Sequence, residues 1–180
     1  MRHLKDRESK QIIREFVERF PGSRESLDSV RHVEEEMVED SAVFFVDNKP
    51  WILRVQGQLL PSLKYEQLLL TLPKIIVDMG AVAHVANGAH VMRPGIRQIE
   101  GQFSKGDLVT IRDERHGKII ALGIAEQDAE TMRSVTKGRV IISVHYVGDS
   151  IWKSFLSQTS PKESNLNAEV TNRAKFQSKL

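Results

Sequence analysis

Across Leu72-Pro73-Lys74 the chain changes texture, and this break constrains the fold more than any other feature of the sequence. Before it, helical patterns alternate with apolar runs. After it come short apolar stretches separated by Gly80, Gly88, Gly95, Gly101, Gly106, Gly117, Gly123, Gly138 and Gly148. Short strands punctuated by turn residues close into small sandwiches or barrels rather than a parallel sheet with long crossovers. A proline inside a helix removes a hydrogen bond and clashes with the preceding turn, so Pro73 ends the helix before it. The expectation is two separately packed units joined near residues 72–74, which 180 residues can supply.

The first unit, residues 1–74, reads as α+β. Ile12, Ile13, Phe16, Val17 and Phe20 share one face of a helix that Pro21-Gly22 stops. A second short helix is expected over Arg24–Val30. Val33–Val38 fits either a helix or a strand. Ala42–Val46 and Trp51–Val55 flank Asp47-Asn48-Lys49-Pro50, a hairpin signal. Tyr65–Leu70 reads as a short helix.

In the second unit, residues 75–153, Val82–Ala86 reads as a strand followed by Asn87-Gly88. Leu108–Arg112 and Lys118–Ile124 form a hairpin around Glu114-Arg115-His116-Gly117. Asp128 is placed to cap a helix running to about Val135, and Gly138 to end it. Arg139–Val147 is a last, buried strand. The fold class is therefore α+β: an α+β domain followed by a small mixed β-barrel.

Lys and Arg total 26 against 24 Asp and Glu, a formal charge of +2, so any nucleic-acid affinity must come from a local patch. Residues 154–180 are polar and mildly basic; from Ser157 on the chain reads as a tail outside the cores, with Asn165–Phe176 too poor in apolar residues to hold a helix alone. No apolar run is long enough to span a membrane, and the charged start, Met1 to Arg7, does not resemble a signal peptide. A cytoplasmic protein is expected.

The chemistry of catalysis is thinly represented. With no cysteine, thiolate nucleophiles, iron–sulfur clusters and cysteine-based zinc sites are excluded. The six histidines show no metal-ligand spacing, although His84 and His90 lie across a predicted turn. Nucleophile elbows and phosphate loops are missing. Glu34-Glu35-Glu36 reads as a solvated face, because adjacent side chains diverge. No enzyme, metal or cofactor is expected.

The run Val77–Ile96, VDMGAVAHVANGAHVMRPGI, is the most informative. Asn87 there can cap a helical turn through Gly88, Ala89, His90 and Val91, leaving backbone N–H groups for a phosphate, with Arg93 and Arg97 just beyond. The same residues also read as a plain tight connection between strands.

This run resembles the opening strand, glycine-rich turn and first helix of the PUA domain, an RNA-binding module. The resemblance continues through Phe103-Ser104-Lys105-Gly106-Asp107-Leu108-Val109 and Ala121-Leu122-Gly123-Ile124-Ala125. Phe20-Pro21-Gly22, Leu60-Pro61-Ser62-Leu63, Leu72-Pro73, Val77–Ala81, Lys137-Gly138, His145-Tyr146, Asp149 and Trp152 are similar to the malignant-T-cell-amplified-sequence family of translation proteins. Coverage runs from about residue 10 to 153. The chain departs from the family in its residues beyond Lys153 and in Arg93, an extra cation in the turn.

The resemblance implies a pre-PUA domain followed by a PUA barrel, and makes Val33–Val38 a strand. It implies a non-catalytic RNA-binding protein acting on the small ribosomal subunit or tRNA in initiation or recycling, with a SUI1-domain protein as a possible partner. The candidate RNA-binding residues are Asn87, Gly88, Ala89, His90, Arg93, Arg97, Lys105, Lys137 and Arg139. The alternative is an RNA-modification enzyme or its accessory subunit. Against the enzyme, Ser26-Leu27-Asp28 lacks the arginine of a G-R-L-D motif, and about 75 residues is too short for a synthase domain.

Overall fold

The computed structural model describes residues 1–159. A two-residue strand, β1 (Arg2–His3), leads into α1 (Asp6–Arg19). Glu8 accepts the Lys5 N–H at 2.9 Å, satisfying a donor that the helix start would leave unpaired. The apolar face, with Ile12, Phe16 and Val17, is buried. Pro21–Ser23 forms a 3₁₀ turn, and α2 (Arg24–Leu27) stops three residues short of the expected end.

Four strands follow as an antiparallel meander: β2 (Val33–Val38), β3 (Ser41–Val46), β4 (Lys49–Val55) and β5 (Gln58–Pro61). With β1 they make a five-stranded sheet in chain order. Asp47 and Asn48 both have positive φ, 46° and 67°, which gives the tight β3–β4 turn the twist its strands need. Residues Ala42–Val46 of β3 are all buried, so this central strand is covered on both faces. α3 (Glu66–Leu69) precedes Pro73.

The second sheet has the order β7-β11-β10-β9-β6-β8, a curled half-barrel. Its strands are β6 (Lys74–Val77), β7 (Val91–Met92), β8 (Ile96–Glu100), β9 (Leu108–Asp113), β10 (Ile119–Ala125) and β11 (Arg139–Tyr146). All pairs are antiparallel except β6 with β9. Between β10 and β11 lies α5 (Ala129–Ser134), capped by Asp128, which accepts the Thr131 N–H at 2.8 Å. Gly138 does not end α5; it has φ 94° in the turn entering β11. A Cβ at Gly123 would run into Ile141, so this β10 position must stay bare for β11 to close against it.

Three expectations need correction. Val82–Ala86 is not a strand: α4 spans Met79–Val85, because Asp78 caps it through the Ala81 N–H at 2.8 Å and local capping prevails over the short apolar run. The barrel does not end the packed chain either, since α6 covers Ser150–Thr159 and Phe155 is buried. The two units are also less separate than expected. Leu108 and Leu122, on the outer face of the half-barrel, belong to the same apolar cluster as Phe16, Phe44 and Leu69, as do Ile151 and Phe155 of α6. A second cluster, with Ile75, Val109, Ile111 and Met132, fills the barrel. The expectation for Asn165–Phe176 lies outside the described residues.

His145, Tyr146 and Trp152 tie the barrel's exit to this packing. Asp149 accepts from the Tyr146 N–H at 3.0 Å and the Trp152 N–H at 2.7 Å, and its Oδ2 lies 2.7 Å from Nδ1 of the fully buried His145. Burial pushes the Asp149 carboxyl up, but the His145 hydrogen bond and charge, with the two backbone donors, carry it below the usual carboxylate range.

Candidate nucleic-acid interface

At the β7 edge of the half-barrel, α4 and β7 frame a concave site. Asp78 donates its N–H to Gly95 O at 2.9 Å, holding the start of α4 on the turn before β8. Gly95 permits this approach, since a Cβ there would come within 2.8 Å of the Ala81 Cβ. The helix ends when the Gly88 N–H donates to Val85 O at 2.9 Å and the Ala89 N–H to His84 O at 3.1 Å, with Gly88 at φ 84°.

This reverses the polarity expected for the turn. Asn87-Gly88-Ala89 closes a helix instead of opening one, so the N–H groups at 87, 88 and 89 are bonded to helix carbonyls and offer a phosphate nothing. The Asn87 amide also turns back, donating to Ala83 O at 3.1 Å. A Cβ at Gly88 would lie 3.0 Å from the Tyr146 ring, so its bareness serves packing against β11.

Beside this helix end is a pocket of about 590 Å³, lined by Ala81, His84, Val85, Ala89, His90, Val91, Met92, Gly95 and Arg139. Its walls are mostly apolar and its rim carries two imidazoles and a guanidinium. The Ser143 N–H donates to His90 Nδ1 at 3.1 Å, fixing the ring with Nδ1 unprotonated and its other nitrogen as the N–H donor.

The predicted cations prove unequal. Arg139 makes a two-pronged bond to Glu126, both arms 2.8 Å. That bond, with the charges of Arg139 and Lys105, holds the Glu126 carboxyl below the usual range despite the cost of its burial. Arg93 is a brace: Nε donates to Met132 O at 2.8 Å and Nη1 to Ile96 O at 3.3 Å. Arg97 faces Glu114 at 3.6 Å. Lys105 and Lys137 are exposed.

Ala89, His90 and Arg139 thus meet at one pocket, and Lys105 shares the field of Glu126 with Arg139. Asn87 and Gly88 form the adjoining helix end. Glu126, His84 and Met92 were missed by sequence reasoning. The His84/His90 spacing of six was a usable signal, but Glu126 becomes a neighbour only through the β10–β11 pairing.

Comparison with known proteins agrees with this architecture. Residues 73–147 match the PUA domain family. An uncharacterized protein of Methanocaldococcus jannaschii is 34% identical over 83% of this chain and 93% of its own length. Malignant T-cell-amplified sequence 2 of Homo sapiens is 26% identical over 83% of this chain and 88% of its own. The chain belongs to the PUA-domain proteins of the malignant-T-cell-amplified-sequence type. Translation machinery-associated protein 20 of Saccharomyces cerevisiae is 30% identical over 61% of this chain and 65% of its own. A crystal structure of a hypothetical protein from Pyrococcus horikoshii superposes with a TM-score of 0.71 at 28% identity, covering 84% of this chain and 97% of that one.

Within this PUA protein, the glycine-rich run quoted from the sequence is therefore the β6–α4–β7 segment that frames the pocket, and the A-x-G-x-A pattern is the β10 position that lets β11 close.

Proposed function

We propose that this protein binds RNA in translation without catalysing a reaction, and that the α4–β7 edge is its RNA site. The observation that carries the reading is a mostly apolar pocket with two histidines at its rim on a PUA barrel, with Lys105 in the field of Glu126 and the exposed Lys137 two residues before Arg139 in the chain. Such a pocket suits an unstacked base, which has an apolar face and hydrogen-bonding edges, better than a phosphate. Arg139 is held by Glu126, so phosphate contacts fall first to Lys105 and Lys137, with Arg97 available when it leaves Glu114. Asn87, Gly88 and Arg93 shape the site.

The relatives' names support a translational role. We assign the target to the small ribosomal subunit or tRNA, place the protein in the cytoplasm, and take a SUI1-domain protein as its partner, as the family resemblance implies. Among the described residues no helix is long and apolar enough to cross a membrane. The test is co-sedimentation of the purified chain with small ribosomal subunits, alongside direct binding to tRNA. Met92→Asp, placing a charge in the pocket wall, and a Lys105→Glu/Lys137→Glu pair should each weaken binding by on the order of tenfold or more. Binding unchanged in both variants overturns the site.

A further inference from the structure

A second concavity lies on the other unit. A groove of about 700 Å³ runs between the β3–β4 hairpin and α6, lined among others by Phe45, Lys49, Trp51, Lys64 and Phe155. Trp51 stacks on the buried Tyr65 with centroids 4.4 Å apart and planes 3° from parallel. The Lys49 ammonium sits 4.6 Å from the centre of the same Trp51 ring, and Lys64 sits 4.3 Å over Trp152.

We propose that this groove docks an acidic segment of a partner protein, with aliphatic side chains entering the groove and carboxylates meeting Lys49 and Lys64. Charge complementarity selects the occupant. Lys49 and Lys64 are exposed, and the only described contacts of their ammonium groups are to aromatic rings, which leave the positive charge in place. Glu34, the one acidic residue lining the groove among the described residues, is bonded to His3 at 3.0 Å. The residues after Thr159 carry Lys162, Arg173, Lys175 and Lys179 against Glu163 and Glu169, so the chain's own end has the wrong sign for this surface.

The aromatics argue against a nucleic acid here. A base needs an open ring face to stack on. Tyr65 takes one face of Trp51, and the ammonium at 4.6 Å must take the other, because two groups so close cannot share a face. Lys64 covers Trp152, whose neighbour Phe155 meets it edge-on with centroids 6.3 Å apart. What remains is a groove with an apolar floor and cationic edges, suited to an acidic, aliphatic peptide.

Of the chain's two tryptophans, Trp51 lines the groove and Trp152 lies under Lys64, which lines it, so tryptophan emission reports its occupancy. The experiment selects from a random peptide library displayed on phage against the full chain, then titrates the enriched peptides as synthetic probes. The expected result is enrichment of sequences combining Asp or Glu with Leu, Ile or Phe, with a shift in tryptophan emission on binding. In Lys49→Glu/Lys64→Glu, with its melting temperature shown unchanged, Kd should rise by on the order of tenfold or more for two lost charge contacts. No enrichment, enrichment without acidic bias, or equal binding by the double variant overturns the proposal. A single-stranded oligouridine that shifts the emission, and loses that shift in the double variant, also overturns it and gives the groove to RNA.

Discussion

Both concavities pair apolar walls with cations, and they differ in how those charges are spoken for. At the α4–β7 pocket Arg139 is bonded to Glu126 and Arg93 to backbone carbonyls. At the β3–β4/α6 groove the cations lie over rings and have no carboxylate in hydrogen-bond contact among the described residues. A cation's usefulness to a ligand depends on what already holds it, and a desolvated or paired guanidinium is a structural element before it is a binding one. The pocket is thus shaped mainly by its walls, and the groove by its exposed charge.

The largest expected effect tests what holds the groove's second wall, α6. Asp149→Ala removes the acceptor for two backbone donors and leaves His145, whose Nε2 has no hydrogen-bond partner among the described residues, without one at Nδ1. A loss of about 3 kcal/mol is expected in chemical denaturation, from a lost cap and a buried unpaired group. The parent's Asp149 carboxyl is depressed in the folded state, so its contribution is present above the unfolded carboxyl value near about 3.9 and lost as pH falls through the lower folded value. Melting temperatures measured from pH 5 downward should fall less steeply in the variant. If α6 were only an ornament, both measurements would match the parent.

On the pocket side, Gly88→Ala should cost more than Gly138→Ala although both glycines have positive φ, 84° and 94°. Both pay the strain of a side chain in that conformation, about 1 kcal/mol, but only Gly88 faces a ring at 3.0 Å, adding about 1 kcal/mol more. Equal losses in urea melts would show that Tyr146 yields freely.

Arg93→Ala probes whether that cation braces or binds. It should lower stability by about 1 kcal/mol, the scale of its lost hydrogen bonds, and leave the salt dependence of RNA binding unchanged. A shallower salt slope with full stability would return Arg93 to the RNA contacts. The smallest effect is expected from Glu126→Gln, which weakens the hold on Arg139. RNA binding should tighten, and the slope of log K against log salt should steepen by about 0.7 to 0.9 if one new phosphate contact forms. An unchanged slope would mean that Arg139 points away from RNA even when released.

Much of this protein was determined by sequence alone. The α1 face, the β3–β4 and β9–β10 hairpins and the Asp128 cap were all legible because each is decided within about a dozen residues by periodicity, turn residues or a capping side chain. The ordered PUA motifs added the barrel. Where local signals competed, the reading failed: Val82–Ala86 is a short apolar run bounded by glycines, as a strand would be, yet Asp78 and the Gly88 turn make it α4. Only the tertiary structure decided that Glu126 takes Arg139, that Leu108 and Leu122 join the N-terminal core, and that α6 walls a groove beside Trp51. The physical reason is the same in each case. A side chain's charge and size are written at its own position, but whether it is paired, buried or free depends on which distant strand or helix lies opposite it.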